Sequence, residues 1–146
     1  MQEGMYAREW MQQIIRTRMA FRKAVQSALK ERNTGITFEM LQVLSSLWQE
    51  QGISQQILAE RTAKGKACLT NLMTNLEKKG LVRREEDRSD RRNKRVFLTQ
   101  EGVLFKEKIN PILYDVYGFL ERKMGLSKVK GGCLDLKELH DVLESY

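Results

Sequence analysis

The residues best suited to chemistry in this chain are cations gathered in one place. Of 26 Lys/Arg and 19 Asp/Glu in 146 residues, the segment 61–95 holds 12 of the former and 5 of the latter; the remainder balances, so this segment carries the whole net charge of +7. Such a compact basic element is the electrostatic footprint of a partner with closely spaced phosphates, above all double-stranded nucleic acid. Inside it, Lys66, Ala67, Thr70, Asn71, Thr74 and Lys78 form a small, hydrogen-bonding set at helical spacing. Short side chains let a backbone approach base edges; Asn pairs bidentately with adenine, and Thr can donate, accept or offer its methyl to thymine. A merely solvated polar face has the same composition, and the surroundings must decide between them. Other chemistries are poorly represented. The one histidine, His140, has no Ser–Asp partners at suggestive spacing, and glycine-rich phosphate loops and carboxylate pairs are missing, so no enzyme is expected. Cys68 and Cys133 lack CxxC spacing, which argues against a ready-made zinc site and a disulfide framework; no metal and no cofactor are expected.

The elements that hold this set read as helices. Trp10, Ile14, Thr17, Phe21 and Val25 fall on one stripe, predicting a long amphipathic helix over 5–32. Thr37 can cap a second helix with Met40, Leu41, Leu44, Leu47 and Trp48 inward, ended by Gly52. Ser54 can cap a short third helix carrying Ile57, Leu58 and Ala59. After Thr62-Ala63-Lys64, a fourth helix runs from Gly65 to Lys79 and stops at Gly80. At about 100° per residue its Leu69, Leu72, Met73 and Leu76 face the core, leaving the Ala/Thr/Asn set outward. A short helix, a tight turn and a second helix make a helix-turn-helix.

Two β-like runs, LVRREE and RRNKRVFLT, flank the polar tip DRSD and predict a hairpin. Its tip and shoulders carry Arg83, Arg84, Arg88, Arg91, Arg92, Lys94 and Arg95, enough to lay a guanidinium in a narrow minor groove while others touch phosphates. Asp87 and Asp90 are expected to pair with neighbouring arginines and shape the tip. Beyond it, Phe105, Ile109, Ile112, Val116 and Leu120 form a stripe on a helix from Gln100 to about Lys123, which Pro111 should kink. Leu136, Leu139 and Leu143 form another, and Gly131-Gly132 predicts a loop or a late start for that last helix.

The run ILAERTAKGKACLTNLMTNLEKKGLVRREEDRSDRRNKRVFLTQEG resembles the core of the MarR (multiple antibiotic resistance regulator) winged-helix transcription factors. The resemblance rests on Leu58-Ala59-Glu60, on LEKKGLV from Leu76, on Asp87-x-x-Asp90-Arg91-Arg92 and on Leu98-Thr99-x-Glu101-Gly102, in that order over about 45 residues. It implies a homodimer on a palindromic operator, usually a repressor, often released by a small aromatic ligand or by thiol oxidation. Carried over by position, it implies helix contacts from Lys66, Ala67, Thr70, Asn71 and Thr74, and a minor-groove arginine at Arg91, supported by Arg88 or Arg92. Gly65 and Ala67 stand where serines are common, and Asn71 where arginine is, so the operator cannot be borrowed from relatives.

The expected fold is mainly α with a small β-hairpin wing, a winged helix-turn-helix flanked by N- and C-terminal dimerisation helices. Residues 1–146 read as one domain, with 5–32 and 103–146 as dimerisation helices and 37–99 as the DNA-binding lobe. The amphipathic stripes exceed what a small lobe can cover, which points to pairing across a twofold axis, against an intramolecular bundle as the alternative. A small-molecule pocket between the dimer helices and the lobe would draw on Trp10, Met11, Met40, Trp48 and Tyr114, with Arg16 or Arg18 for a carboxylate; each is equally explained as core or dimer contact. Cys68 sits on the shoulder of the fourth helix, half turned toward the third, as a space-filler or a redox-sensing thiol. A sequence-indifferent architectural DNA binder is the remaining alternative. The N-terminus has an early acid and no apolar core, and no run spans a membrane, so the expectation is a bacterial cytoplasm and no membrane partner.

Overall fold

The computed structural model describes residues 2–90 and 92–146. The element order is α1 (Met5–Glu31), α2 (Phe38–Gln49), β1 (Ile53–Ser54), α3 (Gln55–Arg61), α4 (Lys66–Lys78), β2 (Val82–Glu86), β3 (Lys94–Leu98), α5 (Gln100–Met124) and α6 (Leu126–Glu144). Three helix starts are fixed by hydroxyl caps: Thr37 accepts from the Met40 amide, Ser54 from Ile57 and Thr99 from Gly102. Each satisfies an amide that the first turn would leave without a partner.

The core lies under the helix-turn-helix. Leu29, Leu44, Leu47, Leu58, Leu69, Met73, Leu76, Val96 and Ile109 are essentially sealed from solvent, bringing α1, α2, α3, α4, β3 and α5 onto one cluster. Each such side chain contributes about 1.5–3 kcal/mol by leaving water. The α4 stripe is the one its periodicity predicts, with Leu69, Met73 and Leu76 buried and Leu72 half-buried.

β2 and β3 pair antiparallel from Val82 opposite Leu98 to Glu86 opposite Lys94, and β1 adds to the other edge of β3 through Ile53 opposite Val96. The wing is therefore a three-stranded sheet in the order β1-β3-β2, not a hairpin alone. Its connection covers seven residues rather than four, because pairing stops at Glu86 and resumes at Lys94.

The base of the wing meets α5 at Gly102. A Cβ there would lie 2.0 Å from the Leu81 carbonyl oxygen, so only glycine admits this approach. Trp48 Nε1 donates to the Gly102 carbonyl at 2.9 Å, and the Thr99 amide donates to the Leu81 carbonyl at 3.0 Å. Pro111 lies within α5 without ending it; it is exposed, so the carbonyl one turn back can turn to water. The expected break at Gly131-Gly132 does not occur, for α6 runs through both. Two glycines cost about 2 kcal/mol relative to alanines, too little to outweigh helix formers on either side.

The helical layer is less complete. α1 buries only Val25 and Leu29, and α6 buries none of its residues. Leu126, Leu134, Leu136, Val142 and Leu143 on α6, and Met5, Tyr6, Trp10, Ile15 and Met19 on α1, are exposed. No helix among the described residues is long and apolar enough to cross a membrane.

Candidate nucleic-acid interface

The turn between α3 and α4 is built by three side-chain or backbone devices. Buried Thr62 donates to the Leu58 carbonyl at 2.7 Å, which closes α3. Ala63 then adopts a left-handed backbone, φ 53°, unusual for a residue with a Cβ, and its amide reaches Glu60 O at 3.2 Å. Lys64 Nζ donates to Gln42 Oε1 at 2.8 Å, tying the turn to α2. α4 begins at the Gly65 cap without a side-chain acceptor, so its first amides remain available to an anion.

The outward face of α4 follows the sequence reading except at Thr74. Lys66, Ala67, Thr70 and Asn71 are exposed and Thr74 is half-buried. Cys68 is also exposed, contrary to the half-buried shoulder expected.

On the wing, arginines of one composition take up different posts. Arg84 lies opposite buried Val96, and its guanidinium turns inward onto Glu77 of α4, leaving its side chain only 17% exposed. It braces the wing against α4 instead of standing at the tip. Arg83 pairs with Glu85 and stacks 4.5 Å above the Phe97 ring. Arg95 reaches Asp87 Oδ2 at 3.3 Å and the Gly52 carbonyl at 3.2 Å. Arg88, Arg92 and Lys94 are exposed and have no side-chain ion pair among the described residues; Arg91 lies outside the described residues.

Asp87 shapes the tip chiefly through serine. Its Oδ1 accepts from the Ser89 hydroxyl at 2.7 Å and the Ser89 amide at 3.0 Å. These bonds, with Arg95, hold its carboxyl below the usual aspartate range. Asp90 accepts from the Arg92 amide at 3.0 Å, and among the described residues no guanidinium pairs with it. Among the described residues the acids are thus engaged inside the turn, while Arg88, Arg92 and Lys94 stay exposed.

Helix and wing flank one groove of about 590 Å³, lined by Gln55, Gln56, Ala59, Lys66, Leu69 and Thr70 on one side and by Arg84, Asp90, Arg92, Asn93 and Lys94 on the other. A second groove, about 1290 Å³, runs between α1, the end of α5 and α6 and includes Trp10, Arg18, Phe21, Leu136 and His140. The residues read as pocket candidates are not all brought together. Trp10 and Arg18 line that second groove, Met40 is buried in the core and Trp48 is held on Gly102. Met11 is half-buried, while Arg16 and Tyr114 are exposed. The signal for Met40 and Trp48 was already in the α2 stripe, which points them inward. Among the described residues no group of His, Cys, Asp and Glu could hold a metal.

A short helix and a second helix packed at a tight turn, followed by a basic strand pair, define a winged helix-turn-helix. The MarR family profile matches residues 36–94. The organic hydroperoxide resistance transcriptional regulator of Bacillus subtilis is 31% identical over 108 residues, 74% of this chain and 67% of that protein. The transcriptional regulator TtmR of Methylorubrum extorquens is 35% identical over 99 residues, 68% of this chain; the match spans about half of TtmR's own length, 50%. Among solved structures, reduced AbfR bound to DNA superposes with a TM-score of 0.69 at 26% identity, covering 88% of this chain and 98% of that one. NadR in complex with 4-hydroxyphenylacetate superposes at 0.70 and 29% identity, covering 89% and 88%. The chain belongs to the MarR family of transcriptional regulators.

Proposed function

We propose that this chain is a sequence-specific DNA-binding regulator, acting as a repressor in the cytoplasm and binding a palindromic operator as a homodimer. The observation that carries the reading is the groove between the helix-turn-helix and the wing, walled by α3 with Lys66 and Thr70 of α4 on one side and by Arg84, Arg92 and Lys94 of the wing on the other. With α4 in the major groove, Lys66, Ala67, Thr70, Asn71 and Thr74 address base edges, while Arg88, Arg91, Arg92, Lys94 and Arg95 reach toward phosphates and the minor groove. Residues 1–146 act as one unit, 37–99 reading DNA and 5–32 with 103–146 pairing two copies. The apolar surface left open on α1 and α6 supports that pairing. The polar face of α4 weighs against a sequence-indifferent binder.

Release by a small aromatic acid is the finer part of the proposal. It is supported by the aromatic ligand of NadR and by the second groove, where Trp10 offers a ring and Arg18 a guanidinium. Oxidation of Cys68 is the competing route, favoured by its exposure on α4. Modest peroxide is expected to leave the operator complex intact; dissociation that Cys68→Ser prevents would favour the thiol route.

The test is binding to DNA upstream of the chain's own gene, with and without excess random duplex. The complex should survive competition. Asn71→Ala should cost about 1–3 kcal/mol on that DNA and little on random duplex. Arg92→Ala should weaken both evenly and flatten the logarithmic salt slope by about 0.9 for each phosphate no longer neutralised. Equal losses on both DNAs for both variants would overturn base readout by α4.

A further inference from the structure

We infer that α4 reads thymine methyl groups through its own methyls, with Thr70 and Thr74 contributing Cγ2 rather than a hydroxyl. The inference rests on the placement of α4 in the major groove proposed above and adds which chemistry does the reading. A threonine on such a helix has two faces to offer, and the hydrogen bonds decide between them. Thr70 Oγ1 donates to the Lys66 carbonyl at 2.9 Å, and Thr74 Oγ1 donates to the Thr70 carbonyl at 3.0 Å. Both hydroxyl protons are therefore committed to the turn below, the back-bonded arrangement open to threonine in a helix.

Thr70 is fixed further, for Gln55 Nε2 of α3 donates to the same Oγ1 at 3.1 Å. Its hydroxyl is engaged as donor and as acceptor within the protein. With each oxygen turned back along the helix, the methyl is the part of exposed Thr70 and of half-buried Thr74 left for a partner. Ala67 adds a third methyl; residues 67, 70, 71 and 74 follow the i, i+3, i+4, i+7 spacing of one helix face. Between these methyls stands Asn71, exposed and without a side-chain hydrogen bond among the described residues. Methyls meet the C5-methyl of thymine, and an amide pairs with adenine. The half-site this face fits is rich in A·T pairs, with its thymine methyls on the α4 side.

The probe is obtained by selecting a random-sequence duplex pool on the full chain. Each thymine of the enriched half-site is then replaced by uracil, which keeps the hydrogen-bonding atoms and lacks only the methyl. Uracil should weaken the unaltered protein about fourfold at each contacted position, the fold-change of one buried methyl. Thr70→Val and Thr74→Val, which keep the methyl, should bind the selected DNA within about twofold, whereas Thr70→Ser and Thr74→Ser should lose about fourfold each and become insensitive to uracil at the matching position. Uracil measurements use the unaltered chain, so a misfolded variant cannot mimic the result. An enriched motif indifferent to uracil throughout, or valine variants that lose affinity where serine variants keep it, would overturn the inference alone. A pool yielding no motif would overturn base reading by α4 and the inference with it.

Discussion

The winged lobe and the helical layer are made from one chain, yet they reach different states of completion. In the lobe α2, α4 and β3 each seal several side chains, and their starts and turns are closed by Thr37, Ser54 and Thr62. In the helical layer α6 seals none and leaves Leu134 and Leu143 more than half exposed. A lone chain already contains what the lobe needs. The surface of α1 and α6 is instead a half-built core, and its completion by a second copy is what the proposed homodimer supplies.

The largest expected effect breaks this contrast from the helical side. Leu136→Arg with Leu143→Arg places charge on the exposed α6 face. Sedimentation at micromolar concentration should show a folded monomer, and operator affinity should fall about 100- to 10,000-fold because a monomer engages one half-site alone. A doubly substituted chain that stays dimeric would mean α6 faces solvent and the contrast is mistaken. From the lobe side, Gly102→Ala drives a Cβ against the Leu81 carbonyl. It should cost about 3 kcal/mol in denaturant unfolding while the folded fraction keeps its oligomeric state. Loss of pairing in that fraction would show that the lobe and the layer are not separable.

A smaller change sharpens the comparison. Ala63 holds a left-handed backbone that glycine adopts without strain, so Ala63→Gly should raise stability by about 0.5–1 kcal/mol, read as a higher unfolding midpoint. An unchanged or lower midpoint would mean that the flexibility glycine adds to the unfolded chain offsets the relief.

Sequence carried the helices well because their signals are local. The α1 stripe, the caps at Thr37 and Ser54 and the outward set on α4 are each spelled by residues within a few turns of chain. Part of what escaped depends on distant partners. β1 is two residues long and exists because Ile53 and Ser54 meet Val96 and Arg95, a pairing no local period announces. The inward turn of Arg84 had a signal, since strand alternation places it on the face of buried Val82, but only Glu77 on α4 makes that place tolerable for a guanidinium. The tip acids were expected to serve arginines, whereas Asp87 mainly serves Ser89 two residues on. In α6, propensity at two glycines suggested a break that the flanking residues overrode.

The close approach at Gly102 also sets a mechanical ratio. Because α5 is pinned there against Leu81 and Trp48 and seated again in the core through Ile109 and Ile112, the helix cannot slide past the wing, and 12 residues of rod extend beyond the last buried contact to Met124. At about 1.5 Å per residue that arm is roughly 18 Å long, so a tilt of about 5° swings its far end about 1.6 Å. Run in reverse, ångström-scale travel at the distant end reaches the wing as a few degrees of pitch, the gearing of a long lever with a short working end.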